Sequence, residues 1–571
     1  MLKDKIEKNI LEALTKALAN GELGELKDLP DVIPVDLPKN PDHGDRAISI
    51  AMKLTKDAKI PPRNIAQAIT NNIDKNNFQS VEIAGPGFIN LKLTWDSLQE
   101  IVSEINNDPE NYAQLNSSNK PEQNVKSILL EYVSANPTGD LHLGHGRQAV
   151  LGSALAKLLI KAGYQVHNEF YINDAGAQID KLGNSAKQAI LIQEKLLDEA
   201  QYDSENNYPL DSMLEFLGPD FYKSELKEDF ANIAVDEYAL VAKQRFLDWQ
   251  NQVLANANVV FEKWYSEKEN LHATQKVSQA CELLLEKGFA YEQDGALWFK
   301  AQEFGDERDR VLKKQDGKYT YLAADLAYHK DKLERGFDLL INLWGADHHG
   351  QIAGMKGILE AVALDSSKLD IVLIQMVSLT KAGQEVKMSK RSGNIVTISD
   401  LISEVGLDAF RYFLVESQAN NRIVFDLELA KKQDKDNPVY YIQYAHARSC
   451  SILRNIQELD SKYADFKTSS LNFQNVFNDI SPEEEKSTKQ LILFLAQYPD
   501  LIYDSALNRA PNKLAHYLKE LASLFHQFYT HNRVITDDPA LTKARLAIVS
   551  ATKNILFDCL SILGISAPES M

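Results

Sequence analysis

The segment from Ile128 to Gly163 constrains the fold of this 571-residue chain more than any other stretch. It opens with the apolar run ILLEYV, continues through a turn at 136–139, and ends in a long run of helical composition. A short apolar strand, a glycine-containing turn and a helix, in this order, begin an α/β unit. We therefore predict a helix that starts near Leu143–Gly144 and runs to Gly163, which suits a helix C-terminus.

Composition and breaker residues divide the chain into three blocks. Residues 1–115 open with a helix, pass a proline-rich stretch at 30–41 and close on the strand-like segment VEIAGPGFINLKLTW. The polar segment 106–124 has no periodicity and predicts a linker. Residues 116–436 hold the α/β unit, whereas residues 437–571 alternate apolar and polar residues at helical spacing. We expect an α+β N-terminal domain, an α/β middle domain and an all-α C-terminal domain.

The formal net charge of −19 is unevenly distributed along the chain. Residues 1–112 carry a net −5, residues 113–436 a net −13, and residues 437–571 a net −1. An acidic total argues against a protein that wraps bulk nucleic acid, but it leaves room for local contact with one nucleic acid. Of the three blocks, the near-neutral helical one would repel an anionic partner least.

The cysteines and the N-terminus exclude several protein classes. Cys281, Cys450 and Cys559 are far apart and odd in number. This excludes a disulfide scaffold and any zinc site that needs a CxxC pair. The N-terminus MLKDKIEKNILEAL lacks the apolar core of a signal peptide, and no apolar stretch approaches the roughly 20 residues that span a bilayer. We expect a cytoplasmic protein with no protein-held zinc and no membrane partner.

His142 and His145 lie three residues apart at the predicted helix start, so their imidazoles share one side of its first turn. The free N–H groups of a helix start attract anions, and Gly144 and Gly146 would let a ligand approach the backbone. Imidazoles can donate hydrogen bonds to phosphoryl oxygens there. We interpret the segment as a phosphate site. For this segment alone, a metal pair and an ordinary helix start with incidental histidines stay open.

A second motif makes the first one specific. The segment VKMSKRSGN at 386–394 places Lys387, Lys390 and Arg391 close together, which suits a loop that neutralises a departing polyphosphate. Alone, such a basic run is more typical of a solvated surface loop. Together, HLGH and KMSK resemble the paired signatures of class I aminoacyl-tRNA synthetases, with Leu143 where the family has isoleucine.

Longer stretches narrow the resemblance to arginyl-tRNA synthetases of bacterial type, and it spans nearly the whole chain. It is carried by EYVSANPTGDLHLGHGR, FYINDAGAQI, GALWFKAQEFGDERDRVL, YLAADLAYH, GADHHGQ, DAFRYF and NPVYYIQYAHAR, and by PDHGDRAISIAMKL and GPGFINLKL near the N-terminus. In DAFR, Phe410 stands where the family has leucine, and Ser570 stands where many members have a basic residue. The resemblance implies a Rossmann-type catalytic core, an appended tRNA-contacting N-terminal domain and a C-terminal anticodon-binding domain.

The resemblance also implies the residues of the sites. The catalytic residues are His142, His145, Lys387 and Lys390. The ATP-binding residues are Gly144, Gly146, Gly345, Asp347, His349, Met376, Val377, Met388 and Ser389. The arginine-binding residues are Glu131, Ser134, Asn136, His142, Tyr321, Asp325 and His348. The tRNA-binding residues are Tyr440, Tyr444, His446, Arg448 and Arg533.

Physical chemistry agrees with two of the sets that the resemblance implies. Arginine stays charged at any working pH, so its pocket needs a buried carboxylate, and Tyr321 and Asp325 share a helix face at a spacing of four. Without the family, Asp325 would more often be a surface acid. The aromatic and basic residues at 440–448 suit stacking on unpaired bases. Each tyrosine there is as well explained by packing within its own helix.

The implied reaction has two steps. The arginine carboxylate attacks the α-phosphate of ATP to give arginyl-adenylate and pyrophosphate, and the terminal ribose of tRNA(Arg) then takes the arginyl group. Such a reaction needs alignment and charge stabilisation more than covalent help. We expect arginine, ATP with Mg²⁺ and tRNA(Arg) as ligands of a monomer. The alternatives are another class I synthetase, a nucleotidylyltransferase and a non-catalytic tRNA-binding relative.

Overall fold

The structure, a computed structural model, describes residues 2–38, 40, 43–116, 120–227, 229–381, 383–385, 396–459 and 471–571, with the backbone alone at 385 and 457–459.

The N-terminal block is an α+β unit, as predicted. Its four-stranded antiparallel sheet has the order β1-β2-β4-β3, and the first three helices pack with one another and with this sheet. Its elements are α1 (Leu2–Ala19), β1 (Val35–Asp36), β2 (Arg46–Ile48), α2 (Ile50–Ala58), α3 (Pro62–Asn72), β3 (Phe78–Ala84), β4 (Phe88–Leu93) and α4 (Trp95–Asn107).

The middle block contains the predicted parallel sheet. Its first half comprises β5 (Ser127–Glu131), α5 (Leu143–Lys161), β6 (Gln165–Ile172), α6 (Ala177–Gln193), α7 (Leu210–Phe216), α8 (Pro219–Glu225), α9 (Val235–Asn256), β7 (Lys263–Ser266), α10 (Lys276–Glu286), β8 (Ala290–Gln293), β9 (Ala296–Phe299) and β10 (Arg310–Lys313). Its second half comprises α11 (Tyr321–Glu334), β11 (Leu339–Gly345), α12 (Ile352–Ala361), β12 (Leu369–Ile374), β13 (Val377–Lys381), β14 (Gln384–Glu385), α13 (Ile398–Val405), α14 (Leu407–Val415), β15 (Ile423–Asp426) and α15 (Leu427–Lys431).

The strand order of the main sheet determines where a ligand can bind. The order is β12-β11-β5-β6-β7, and every neighbouring pair is parallel. The chain runs outward from β5 through β6 to β7, and later returns to the other side of β5 as β11. This is a doubly wound, Rossmann-type sheet. Ligands of such sheets bind at the carboxyl ends of the strands where the winding reverses, which here lies between β5 and β11.

Two small sheets flank the main one. An antiparallel sheet has the order β10-β9-β8, and a mixed sheet has the order β14-β13-β15, in which β13 and β15 run parallel. The acidic helical insertion lies between α6 and β7 and ends in α9, which packs along α6. Gly183 of α6 has no room for a side chain, since a Cβ there would lie 2.8 Å from the carbonyl oxygen of Val235.

The C-terminal block is helical, as predicted. Its helices are α16 (Pro438–Leu459), α17 (Phe473–Val476), α18 (Pro482–Leu495), α19 (Tyr498–Leu507), α20 (Asn512–His531) and α21 (Pro539–Leu563). By length and composition α21 could cross a membrane, which the sequence expectation missed, but 78% of its most apolar window is buried inside the protein. It therefore has the character of a core helix. The amide of Asn106 in α4 donates to the carbonyl of Ala547 at 2.9 Å, which joins the two terminal blocks.

The DAFR motif forms a joint between the middle and C-terminal blocks. Arg411 is fully buried and donates to the carbonyls of Leu563 (2.8 Å) and Ala257 (2.6 Å) and to the hydroxyl of Ser153 (2.8 Å). Gly564, at φ +71°, leaves the space that this guanidinium occupies, because a Cβ there would lie 2.6 Å from it. The motif thus lies in α14, before the first helix of the C-terminal block.

Candidate active site

The predicted histidine pair lies at the start of α5. His142 is the N-cap residue, and its Nδ1 accepts a hydrogen bond from the N–H of Gly144 at 3.1 Å. This contact leaves the proton of the neutral ring on Nε2. The rings of His142 and His145 stack with centroids 3.8 Å apart. Burial lowers the pKa of both imidazoles, that of His145 to about 3, so both are neutral hydrogen-bonding groups at working pH.

The two glycines of the motif have different surroundings. A Cβ on Gly144 would meet only the ring of His142, at 2.9 Å. A Cβ on Gly146 would lie 3.1 Å from the ring of Phe410 and 3.2 Å from Ile398. Gly146 therefore allows α13 and α14 to approach α5 closely. The prediction that it opens the backbone to a ligand does not fit this packing.

The KMSK residues Lys387, Met388, Ser389 and Lys390 lie outside the described residues. The chain on either side of them is described. On one side it ends in the β13–β14 hairpin. On the other side, Leu143 donates to the carbonyl of Val396 at 3.1 Å, and Ile398 donates to that of Leu141 at 2.9 Å. The first described residues after the second motif are therefore bonded to the chain at the first motif.

Glu131 ends the central strand β5, and both of its carboxylate oxygens have partners. Oε2 lies 2.5 Å from Nζ of the fully buried Lys332, and Oε1 accepts from the hydroxyl of Ser134 at 3.0 Å. Val133 and Ser134 have φ values of +70° and +44°. A β-branched residue rarely adopts this left-handed conformation, which marks backbone strain directly after the strand. The strained turn brings the Ser134 hydroxyl to the N–H of Tyr171, at 3.2 Å.

Asp325 is a half-buried carboxyl in the first turns of α11. Burial first, and then the nearby carboxylates of Glu131 and Glu267, raise its pKa to about 7, whereas Lys332 opposes them. No ion pair links Asp325 to another residue in the described parts of the chain. A bound cation would restore its ionised form, so the site has the electrostatics of a pocket for a guanidinium or ammonium group.

Sequence reasoning missed two residues of this pocket. Glu267 follows β7, its side chain is buried, and its Oε2 has no hydrogen-bond partner among the described residues, whereas Oε1 lies 2.9 Å from His272. The signal available was its position at the carboxyl end of a strand. Lys332 was also missed. It lies seven residues after Asp325, and that spacing places both on one helix face.

A cavity of about 760 Å³ opens beside this pocket. Its wall includes Asp174, Glu267, Lys268, Lys318, Tyr319 and Tyr321. Tyr321 is 65% exposed and lies one helical turn from Asp325, as predicted. Asn136 is exposed, and the buried amide of Gln250 in α9 holds its carbonyl at 3.0 Å.

The predicted adenosine residues lie on two segments. Gly345 ends β11, and the exposed turn that follows it holds Asp347, His348 and His349; Nδ1 of His348 lies 3.2 Å from the side-chain oxygen of Gln351. β11 adjoins β5, so this turn lies next to the strained turn.

Met376 and Val377 form the second segment. Met376 is 76% exposed, whereas the side chain of Val377 is buried. Val377 pairs in parallel with Ile423, which donates to the carbonyl of Met376 at 3.2 Å. In this register the N–H and C=O of Val377 point away from β15, so its main chain, and not its side chain, is available to a ligand.

The predicted tRNA-binding residues do not lie together. Arg448 donates to the hydroxyl of Tyr444 at 2.6 Å and lies 4.1 Å from the ring centroid of Tyr529, in a groove of about 310 Å³ beside the chain end at 569–571. Tyr440 lines a separate groove with Lys431 and Lys432, and Arg533 is exposed elsewhere.

The surroundings of His446 contradict the prediction that it binds tRNA. It is 2% exposed, and its Nδ1 donates to the carbonyl of Pro568 at 2.9 Å. It therefore holds the C-terminal tail and does not face a base.

No group of three or more histidine, cysteine, aspartate or glutamate side chains in the described parts of the chain is arranged to hold a metal ion.

Three family models match the chain. The model described as the catalytic domain of class I tRNA synthetases (R) matches residues 110–448, the arginyl tRNA synthetase N-terminal domain matches residues 4–93, and the DALR anticodon binding domain matches residues 442–571.

Similar proteins cover the full length. The chain is 40% identical to an arginine–tRNA ligase of Desulforamulus reducens and 41% identical to arginine–tRNA ligase 1 of Halalkalibacterium halodurans, with 100% of this chain and 99% of each relative covered. The solved arginyl-tRNA synthetase of Thermus thermophilus superposes with a TM-score of 0.73 over 100% of both chains at 20% identity, which shows the shared fold.

Proposed function

The chain belongs to the arginyl-tRNA synthetase family, and from this premise we propose how its residues divide the work of an arginine–tRNA ligase. The enzyme joins L-arginine to its tRNA with ATP, and it releases AMP and pyrophosphate. The observation that carries the assignment of roles is the unpaired carboxyl of Asp325 near Glu131, at the carboxyl end of β5. A non-catalytic relative is disfavoured because His142, His145, Lys387 and Lys390 are all present, and a nucleotidylyltransferase is disfavoured by the chain length and the helical C-terminal block.

Asp325 is our candidate for the partner of the arginine guanidinium. Its pKa is raised and no described cation pairs with it, whereas both oxygens of Glu131 are already engaged. Glu131 and Ser134 would form the wall of the pocket, and Tyr321 its exposed side. Asn136 and His348 would hold the α-amino and α-carboxylate groups of arginine.

The ATP site would combine the start of α5 with the two adenosine segments. The neutral rings of His142 and His145 would donate to phosphoryl oxygens, with the N–H groups of the helix start beside them. Lys387 and Lys390, with Met388 and Ser389, would neutralise the departing pyrophosphate. Mg²⁺ would enter as the ATP complex, held by phosphate oxygens.

Adenine recognition would use the main chain of Val377. Its N–H matches the acceptor N1 of adenine, and its C=O matches the N6 amino group. The exposed turn with Gly345, Asp347 and His349 would contact the ribose.

An ATP–pyrophosphate exchange assay with each amino acid, with and without tRNA, tests the function. We expect exchange with arginine. Exchange driven by cysteine, glutamate or glutamine but not by arginine would refute the assignment. A rate without tRNA close to the rate with it would refute our further hypothesis that bound tRNA is needed for arginine activation.

The exchange assay should also depend on pH through Asp325. Only the ionised carboxylate attracts arginine, and the pKa of this carboxyl in the free enzyme is raised to about 7. The KM for arginine should therefore be constant above pH 7 and should rise roughly tenfold for each pH unit below it. A KM for arginine that stays flat between pH 6 and pH 8 would contradict the role of Asp325. Neither histidine of the pair should interfere, since the pKa of each is lowered.

The cavity beside Tyr321 would receive the tRNA 3′ end.

The groove between Tyr444 and Tyr529 would bind unpaired anticodon bases. Arg448→Ala should raise the KM for tRNA roughly tenfold, with little change in kcat at saturating tRNA, because stacking contributes about 1–3 kcal/mol per base. Aminoacylation kinetics measure this. Arg533→Ala is the matched comparison, because Arg533 lies outside the groove. A larger effect of Arg533→Ala than of Arg448→Ala would place the anticodon elsewhere.

We further propose that the functional units follow the boundaries 1–115, 116–436 and 437–571, and that the enzyme acts as a cytoplasmic monomer without a membrane partner. Light scattering with and without tRNA would reveal a dimer if one forms.

A further inference from the structure

Arg147 is a fully buried residue that directly follows the histidine motif and has no role in the reaction described above. One terminal nitrogen donates to the carbonyls of Gln375 (2.6 Å) and Asn421 (2.7 Å), and the other donates to that of Gln418 (2.8 Å). No described carboxylate pairs with it, so carbonyl dipoles alone hold its charge. A buried charge without a counter-ion is costly, and an apolar side chain would fill the same space at less cost.

The three carbonyls belong to the segments that lead into β13 and β15. Gln375 directly precedes Met376, and its own N–H donates to the carbonyl of Ala419 at 2.9 Å. Asn421 lies two residues before Ile423, which donates to Met376. Arg147 therefore ties both strands to α5 at the end where the main chain of Val377 faces away from β15.

We propose that Arg147 is a positioning residue for purine recognition, which holds the main chain at 376–377 at a fixed distance from the phosphate-binding start of α5. The proposal rests on the proposed reading of adenine by Val377. Adenine presents an acceptor at N1 and donors at N6, whereas guanine presents a donor at N1 and an acceptor at O6. A fixed N–H and C=O therefore accept adenine and leave opposed polar groups with guanine. If this segment were mobile, it would bind adenine less well and would also exclude guanine less strictly.

Arg147→Lys tests the proposal. Lysine keeps the charge, but its donors share one nitrogen and cannot reach all the carbonyls that a guanidinium spans. In pyrophosphate exchange we expect the KM for ATP to rise about tenfold and the preference for ATP over GTP to fall about tenfold, with little change in the KM for arginine. Unchanged ATP kinetics, or an equal rise in the KM for ATP and for arginine, would overturn the proposal.

Arg411→Lys is the matched control. Arg411 is also fully buried and bonded to carbonyls without a described carboxylate partner, but its acceptors are Ala257, Leu563 and the hydroxyl of Ser153. This variant should lose stability to a similar degree and keep the preference for ATP over GTP. A loss of preference in both variants would mean that lowered stability is the cause, and it would overturn the positioning role.

Val377→Pro separates the proposal from its premise, because the backbone hydrogen-bond donor that it removes points away from β15 and takes no part in that strand pairing. If Val377→Pro lowers the preference for ATP but Arg147→Lys does not, the premise stands and the positioning role fails. If Val377→Pro has no effect, the premise fails and the proposal falls with it.

Hydrogen exchange on the unmodified enzyme provides a further readout, which is decisive if Arg147→Lys does not fold. In peptides that contain 375–378, the hydrogen-bonded amides should be protected before ATP is added, and rapid exchange of these amides would overturn the proposal.

Discussion

Asp325→Asn should raise the KM for arginine at least ~100-fold, equivalent to roughly 3 kcal/mol of binding free energy. Asparagine preserves the size of the side chain and removes the charge that would pair with the guanidinium. Glu131 cannot take over, because Lys332 and Ser134 already occupy its oxygens. The measurement is arginine-dependent pyrophosphate exchange at pH 8, where the wild-type carboxyl is ionised, and the KM for ATP should change little.

Asp331→Asn is the matched control for this prediction. Asp331 lies on the same helix α11, is also buried, and pairs with Lys276 at 2.5 Å and Arg335 at 3.1 Å, away from the proposed pocket. It should lower the free energy of unfolding and leave the KM for arginine close to that of the wild type. If Asp331→Asn raises the KM for arginine as much as Asp325→Asn does, the effect is structural and the guanidinium partner lies elsewhere.

Local patterns predicted the fold well because they depend on neighbouring residues. The apolar run before the Asn136–Gly139 turn predicted β5, and α5 begins at Leu143 and ends at Lys161, within two residues of the predicted end at Gly163. The helical periodicity after residue 437 predicted the all-α C-terminal block. The charge split placed the most acidic part in the catalytic block, and the proposed anticodon groove lies in the nearly neutral one.

The environments of individual site residues were not predictable in the same way, because they depend on partners distant in the chain. Gly146 is close to Phe410, and His446 is covered by the tail at Pro568; no pattern near either residue indicates this. Asp325 is unpaired because Lys332 pairs instead with Glu131, which lies 201 residues earlier in the chain. Sequence spacing predicts that two residues share a helix face, but it does not predict which carboxylate a lysine pairs with.

The joint at Arg411 should be the most sensitive structural position outside the active site. Arg411→Met should lower the free energy of unfolding by roughly 3–5 kcal/mol, since it leaves two buried carbonyls and the Ser153 hydroxyl without their donor. Urea unfolding measures this loss as a first transition at a lower urea concentration than in the wild type. These acceptors lie on or next to α5, α9 and α21, so the C-terminal block should loosen from the block that carries the histidine pair.

Phe410→Leu is the control for this joint, because it restores the family's leucine at the neighbouring buried position. It should cost about 1 kcal/mol, the loss expected for a smaller apolar side chain. In Arg411→Met, tRNA charging should fall more than pyrophosphate exchange, because the proposed anticodon groove and the proposed active site belong to the two blocks that this joint connects. Unfolding of Arg411→Met at the wild-type urea concentration, or a greater loss in Phe410→Leu, would show that the guanidinium does not hold the two blocks together.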